Sequence, residues 1–472
     1  MTDSLRQGIE MNPVDKREER IIRFTTAKLF PLIVKMAIPS MIGMVVSTIY
    51  NMTDTFWVGK LNNEAFTASV GVVFTFVSVI QAIGFWFGYG SGNYISRMLG
   101  KKDYEEAEKM ASIGVGISVF TGLVIMLISF VFLNSLIIIL GGDTSPELAN
   151  ATGQYLKVTI CSVPFMLFSN VIYNQLRLSG AAKSSMLGLL VGMLINMALD
   201  PVFILKMNMG VKGAAYASLI GQIIGCIMLF FETGKNGNVH IHLINVKPDL
   251  FHIREILAGG APNFCRQGIT SISSIIMNNV AGMYGVHVIA AVTVAQRVIY
   301  IAYALVIGFG QGFQPVCAIN YGAKKTDRVR RAFKLTWITV TVFLFISTPL
   351  LFINARILTE AFASQPQVAE IAVYMIKAQC YILPFMGYYI LSGMLLQNIG
   401  RFGLATSVTV AESGTVFIPV VLISTYFFGM DGIIYSKPLS GVISLIYSLL
   451  IGTYAWNKYL KQEKDDEIYK TV

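Results

Sequence analysis

Asp54 and Asp200 are carboxylates set inside long apolar runs, Asp54 within Tyr50 to Leu61 and Asp200 late in the run 184–205. A charged Asp at membrane depth costs about 3 kcal/mol on insertion scales, so such a residue is read as functional until shown otherwise. Asn196 stands four residues before Asp200 and therefore shares its helix face. If the two acids share a pocket, a bound cation relieves both their burial and their mutual repulsion, and the pair becomes an ion-coupling site. The plain alternative is a pair satisfied by structural hydrogen bonds. Glu412 is the remaining acid at depth, with Lys377 as its candidate partner, and both a structural pairing and a cation-binding role stand for it.

The elements that must position these acids follow from composition. The chain has 472 residues, 54% hydrophobic and only 13% charged. A soluble domain carries about a quarter charged residues, so this is the composition of an integral membrane protein. The formal net charge of +10 is spread between apolar runs, which serves membrane orientation and excludes a nucleic-acid partner. Cys161, Cys226, Cys265, Cys317 and Cys380 stand singly, as small hydrophobes rather than disulfide or metal partners. Of the four histidines, His240, His242 and His252 fall in one polar region and His287 stands apart, so no metal or proton-shuttle constellation emerges. The Gly-rich stretches lack the strand and the GxxxxGK[ST] pattern of a nucleotide cradle. No cofactor, resident metal or enzymatic site is expected.

Runs of about 20 apolar residues are candidate membrane helices. Twelve are expected, over residues 30–59, 65–97, 107–133, 148–178, 184–205, 213–231, 255–284, 287–319, 329–353, 367–397, 402–425 and 432–457. Lys and Arg gather in alternate loops, among them Lys101, Lys102, Arg177, Lys183, Lys324, Lys325, Arg328, Arg330 and Arg331. The opposite loops hold only Lys60, Lys206, Lys212, Arg356 and Lys437. This asymmetry puts both termini and the rich loops in the cytoplasm of a cell-membrane protein. The chain then divides into a tail (1–28), a six-helix lobe (29–231), a cytoplasmic linker (232–254), a second lobe (255–457) and a tail (458–472).

An internal repeat supports the division. Gly88-x-Gly90 followed by Gly100-Lys101-Lys102 returns as Gly310-x-Gly312 followed by Gly322-Ala323-Lys324-Lys325. Gly180 has a counterpart in Gly400, Gly210-x-x-Gly213 in Gly429-x-x-Gly432, and Pro39 in Pro262. Each copy holds an even number of crossings, so the copies relate by an axis along the membrane normal. The repeat carries no second acid pair: the counterpart of Asp54 falls near Met277 and that of Asp200 near Ile418.

On Ala37-Ile38-Pro39, Tyr50-Asn51-x-x-Asp54-Thr55-x-x-x-Gly59, Asn196-x-x-x-Asp200-Pro201 and the half-repeat, the chain resembles the multidrug and toxic compound extrusion (MATE) family, most closely its prokaryotic branches with carboxylates in the N-terminal lobe. The resemblance implies an all-α, twelve-helix antiporter that exports organic, mostly cationic and lipophilic compounds in exchange for H⁺ or Na⁺, working as a monomer among membrane lipids. It also implies that Asn170, Asn174, Tyr155 and Ser218 belong with Asn196 to the polar network of ion and substrate, and that Na⁺, if used, sits at Asp54, Asp200 and Asn196. For each of these polar residues an interhelical hydrogen bond that holds the bundle is the equal alternative. Some branches carry a Glu in helix seven, where this chain offers only Arg266, Gln267, Asn278 and Asn279. The alternative function is a lipid-linked oligosaccharide flippase of a related superfamily, which would call for a cavity rich in Arg and Lys.

Overall fold

The computed structural model describes residues 13–242, 249–363 and 365–460, leaving out the side chains of residues 13–15, 48–52 and 55. All regular structure among the described residues is helical. The helices are α1 (Pro13–Thr26), α2 (Leu29–Gly59), α3 (Glu64–Lys101), α4 (Tyr104–Val131), α5 (Leu133–Ile139), α6 (Pro146–Leu178), α7 (Ala182–Pro201) and α8 (Val211–Glu232). They continue as α9 (Leu250–Gly282), α10 (Val286–Gly322), α11 (Thr326–Ile353), α12 (Ala355–Glu360), α13 (Pro366–Cys380), α14 (Met386–Asn398), α15 (Phe402–Val410) and α16 (Phe417–Tyr459).

Nine described helical stretches are long and apolar enough to cross a membrane, and Pro366–Cys380 with Leu383–Asn398 makes a tenth, bent by 46°. The bend falls where Pro384 cannot donate the backbone hydrogen bond that would continue the helix. The 33-residue α9 is diluted by Asn263, Arg266 and Gln267. The 58-residue stretch Phe402–Tyr459 is broken at Gly429, at φ 58° and ψ −128°. Counting α9, and taking that broken stretch as two crossings, gives the expected twelve.

The repeat is visible in the backbone. Gly210, at φ 59° and ψ −140°, holds the same left-handed conformation as Gly429. Gly180 and Gly400 close α6 and α14 at φ 84° and 78°, each in the paired hydrogen bonds of a glycine-terminated helix. Lys102 and Lys324 end α3 and α10 at φ 64° and 57°.

The chain forms two compact units. Unit 1 comprises residues 1–27 and 42–260, and unit 2 comprises 28–41 and 261–472, so the division runs through α2 and α9. Repeated glycines admit these shared helices. In unit 1 a Cβ on Gly90 of α3 would lie 1.9 Å from the Ile256 carbonyl oxygen of α9, and in unit 2 one on Gly312 of α10 would lie 2.6 Å from the Ala37 amide nitrogen of α2. Neither backbone can retreat as a flexible side chain would. Gly90→Ala is therefore expected to cost about 1–3 kcal/mol or more, read as a lower thermal unfolding midpoint of the purified protein, whereas Gly403→Ala, where a Cβ meets nothing within 4 Å, is expected to be neutral.

Within the expected N-terminal tail, residues 13–26 form a packed helix. α1 buries Ile21 and Phe24, with Phe24 packed over Gly180. Arg17 donates to the Asn238 carbonyl (3.0 Å) and Arg20 to Asn238 Oδ1 (2.8 Å), which ties α1 to the segment after α8.

Candidate functional site

The site is assembled by α2, α7 and α8, all within unit 1 for the residues concerned. Helices α7 and α8 touch along small residues: a Cβ on Gly221 would meet the Gly192 carbonyl at 2.7 Å and Asn196 Cβ at 2.9 Å. Close backbone approach of this kind lets short polar side chains bond across the interface. Asn196 Nδ2 donates to Ser218 Oγ (3.0 Å), and Ser218 Oγ donates to Asp54 Oδ2 (3.4 Å). At the end of α7, Pro201 removes a backbone donor, and a π-helical turn, Val202–Lys206, follows directly after Asp200 and Pro201.

Asp54 and Asp200 face one pocket. Their carboxyl groups are near enough to interact electrostatically. Asp200 and Asn196 are 0% and 1% exposed, and Asp54 is 8% exposed. Asp54 Oδ1, both carboxyl oxygens of Asp200 and Asn196 Oδ1 are enclosed without a hydrogen-bond donor among the described residues. Four acceptor oxygens turned inward and left without donors are a cradle for a cation, since enclosed carboxylates are costly until a charge or proton satisfies them. Both H⁺ and a small monovalent metal ion fit that donor set. The side chains of Tyr50, Asn51 and Thr55, part of the sequence motif around Asp54, lie outside the described residues.

The other expected residues fall elsewhere. Asn174 donates to the Asn170 carbonyl (2.8 Å) and accepts from Arg177 Nη2 (3.0 Å), and both asparagines pack against Gly84 and Gly88 of α3. Tyr155 is buried in the apolar cluster with Val58, Ile204 and Val211, of which Val58 and Ile204 stand one helical turn after Asp54 and Asp200 in sequence. In unit 2 the positions equivalent to the acids are filled by hydrocarbon: Met277 belongs to a cluster with Phe417, Val421 and Ile433.

Glu412 lies on a π-helical turn, Ala411–Thr415, with Ser413 Oγ at 3.4 Å. Its expected partner Lys377 instead stacks over the Phe352 ring at 5.2 Å. The groups within electrostatic reach of Glu412 include Lys437 and the hydroxyls of Tyr303 and Tyr389. Spacing between helices of one lobe is not encoded in either residue type, so the sequence alone does not choose between Lys377 and Lys437.

Arg177 shows a different kind of surprise. Counted among the loop cations, it is the largest fully enclosed side chain, 0% exposed, with its guanidinium over the Tyr89 ring at 5.0 Å. The Asn174 partner three residues earlier is the sequence signal that could have found it.

With this geometry in view, comparison with known proteins decides the family. The MatE family model matches twice, over residues 39–202 and 262–423, once in each half of the chain. The chain belongs to the MATE family. Curated relatives include the multidrug export protein MepA of Staphylococcus haemolyticus, 27% identical over 92% of this chain and 96% of that protein, and MepA of Staphylococcus aureus, 26% identical over the same shares. Among solved structures, a MATE protein in the bent conformation matches with a TM-score of 0.85 at 22% identity, covering 95% of this chain and 98% of that one. A MOP superfamily transporter from Pyrococcus furiosus, described as having a binding pocket of reversed polarity, matches equally well (TM-score 0.85, 22% identity, 93% and 99% covered). The MATE fold, a helical multi-pass membrane protein of two repeated halves, is thus that of this chain.

Proposed function

We propose that this MATE protein is a secondary active exporter of organic, mostly cationic and lipophilic compounds, driven by inward H⁺ or Na⁺ through Asp54 and Asp200. The observation that carries the reading is the enclosed acid pair, whose three donorless oxygens stand with that of Asn196. A coupling ion entering the pocket neutralises the carboxylates, removes the counter-charge of a bound organic cation and favours its release; loss of the ion restores the site. Asn196 and Ser218 orient Asp54 during this exchange, and Asn170, Asn174 and Tyr155 support the helix that packs beside it. The names of the MepA relatives support drug export, and the distribution of Lys and Arg supports cytoplasmic termini in a cell membrane. The protein acts as a monomer and holds no resident cofactor.

The second unit, whose corresponding positions are apolar, takes no part in ion coupling under this reading, and Glu412 with Lys437 serves substrate or structure there. Purified protein in proteoliposomes tests the proposal: ethidium movement should follow an imposed pH or Na⁺ gradient and stop when that gradient is collapsed. Movement that continues with both gradients collapsed would sink it.

A further inference from the structure

Three of the four histidines converge on the first turns of α4. Glu108 accepts from Arg17 Nη2 (2.7 Å) and pairs with His242 Nε2 (3.5 Å), while the His240 amide points at the same carboxylate (3.4 Å). One turn's face away, Glu106 Oε1 meets His252 Nε2 and the Tyr94 hydroxyl, each at 2.8 Å. His252 is 2% exposed. Its other ring nitrogen, Nδ1, faces Asp249 Oδ1, the oxygen that also caps α9 by accepting from the His252 amide at 2.9 Å.

Both ring nitrogens of His252 thus face carboxylate oxygens. A neutral imidazole owns a single N–H, so one of these contacts would then set a lone pair against a carboxylate. Only the imidazolium makes both of them hydrogen bonds. The surroundings agree. From α3 come Tyr94 and Arg97, from α4 Glu106 and Lys109, and from α9 and its cap Asp249 and Glu255. Arg97 pairs with Glu255 (2.9 Å) and Lys109 with Asp249 (3.5 Å), which leaves one carboxylate more than the two cations and gives the cluster balance when His252 is charged. The rings of Tyr94 and Phe251 pack edge-on to the imidazole. Asp249, held at about 2 by hydrogen bonds from the backbone and side chain of His252, stays ionised through the neutral range.

We propose that His252 is a second proton-binding site, separate from the Asp54 pocket, which fastens the start of α9 to α3 and α4 while it is protonated. The proton bridges Glu106 and Asp249 through the ring. When it leaves, the single remaining N–H stays with Asp249 in the helix's own cap, the bond to Glu106 of α4 is the one lost, and the residues from Leu250 to Gly260, the part of α9 that belongs to unit 1, loosen from α4. The clasp is closed while the ring carries both N–H groups and opens when it carries one.

Hydrogen exchange on the full-length purified protein tests it, with protection corrected for the intrinsic pH dependence of exchange. Protection of residues 250–258 is expected to fall ~tenfold as pH rises from about 5 to about 9. His252→Gln should show low protection at every pH, and His252→Lys, which keeps a cation throughout, should show no transition. Glu106→Gln, a gentler change that keeps an acceptor for Tyr94, should lower the midpoint of the transition by about one pH unit, because it removes a charge that favours the imidazolium. A wild-type profile without a transition, a His252→Gln profile that tracks the wild type, or an unmoved midpoint in Glu106→Gln would each overturn the proposal.

Discussion

Asp54→Asn is expected to lower gradient-driven export by up to about a hundredfold while the protein inserts and folds. The substitution keeps the shape of the side chain: the amide oxygen still accepts from Ser218, and the amide nitrogen offers Asp200 the donor that its oxygens lack. Folding stability should therefore stay within about 1 kcal/mol of wild type, since no enclosed group loses a partner. What disappears is the ability of the pair to trade a coupling ion against a cationic compound, and a coupling of that kind is typically worth a factor of about 5–150. Asp200→Asn should behave alike. Ser218→Ala, which leaves both acids and removes only an orienting bond, should lower transport by about tenfold or less. Transport assayed beside thermal unfolding checks the pattern; equal losses of transport and of stability in Asp54→Asn would mean that the pair is structural.

The second large effect is on stability. Arg177→Ala is expected to cost about 3–5 kcal/mol, visible as a steep loss of folded yield and unfolding midpoint. The substitution empties the space of a fully enclosed side chain, removes the stacking on Tyr89 and takes a charge-assisted donor from Asn174 Oδ1. Arg177→Lys should recover only part of the loss, because a Lys ammonium cannot reproduce a planar guanidinium that stacks and donates at once. An Arg177→Ala protein as stable as wild type would show that α6 is held by its apolar contacts alone.

Much of the frame was legible in the chain because it is written in long apolar runs and in glycines, which report backbone constraints directly. The run 329–353 became α11 at Thr326–Ile353 and the run 148–178 became α6 at Pro146–Leu178. The repeat glycines Gly210 and Gly429 share one unusual conformation. The helix bend before Met386 was not legible, since Pro384 on its own is compatible with a straight or a broken span.

The acid pair was half legible. Type and depth marked Asp54 and Asp200, but that they face each other depends on how α7 turns against α2 and α8, which the Gly192 to Gly221 contact fixes. For the same reason Asn170 and Asn174, correctly spaced on one helix face, turn out to serve Gly84, Gly88 and Arg177 in the geometry seen here. The histidines near the 232–254 stretch read as linker because their partners, Glu106 and Glu108, lie more than a hundred residues earlier.

The central claim, that ion and drug compete for the Asp54–Asp200 pocket, is tested most directly by binding without transport. Ethidium titrated into purified wild-type protein should bind more weakly on acidification or on addition of Na⁺, and binding in unbuffered solution should release a proton or displace bound Na⁺. In Asp54→Asn both dependences should vanish. An ethidium affinity that ignores pH and Na⁺ in the wild type, or that keeps the same dependence in Asp54→Asn, would contradict the claim.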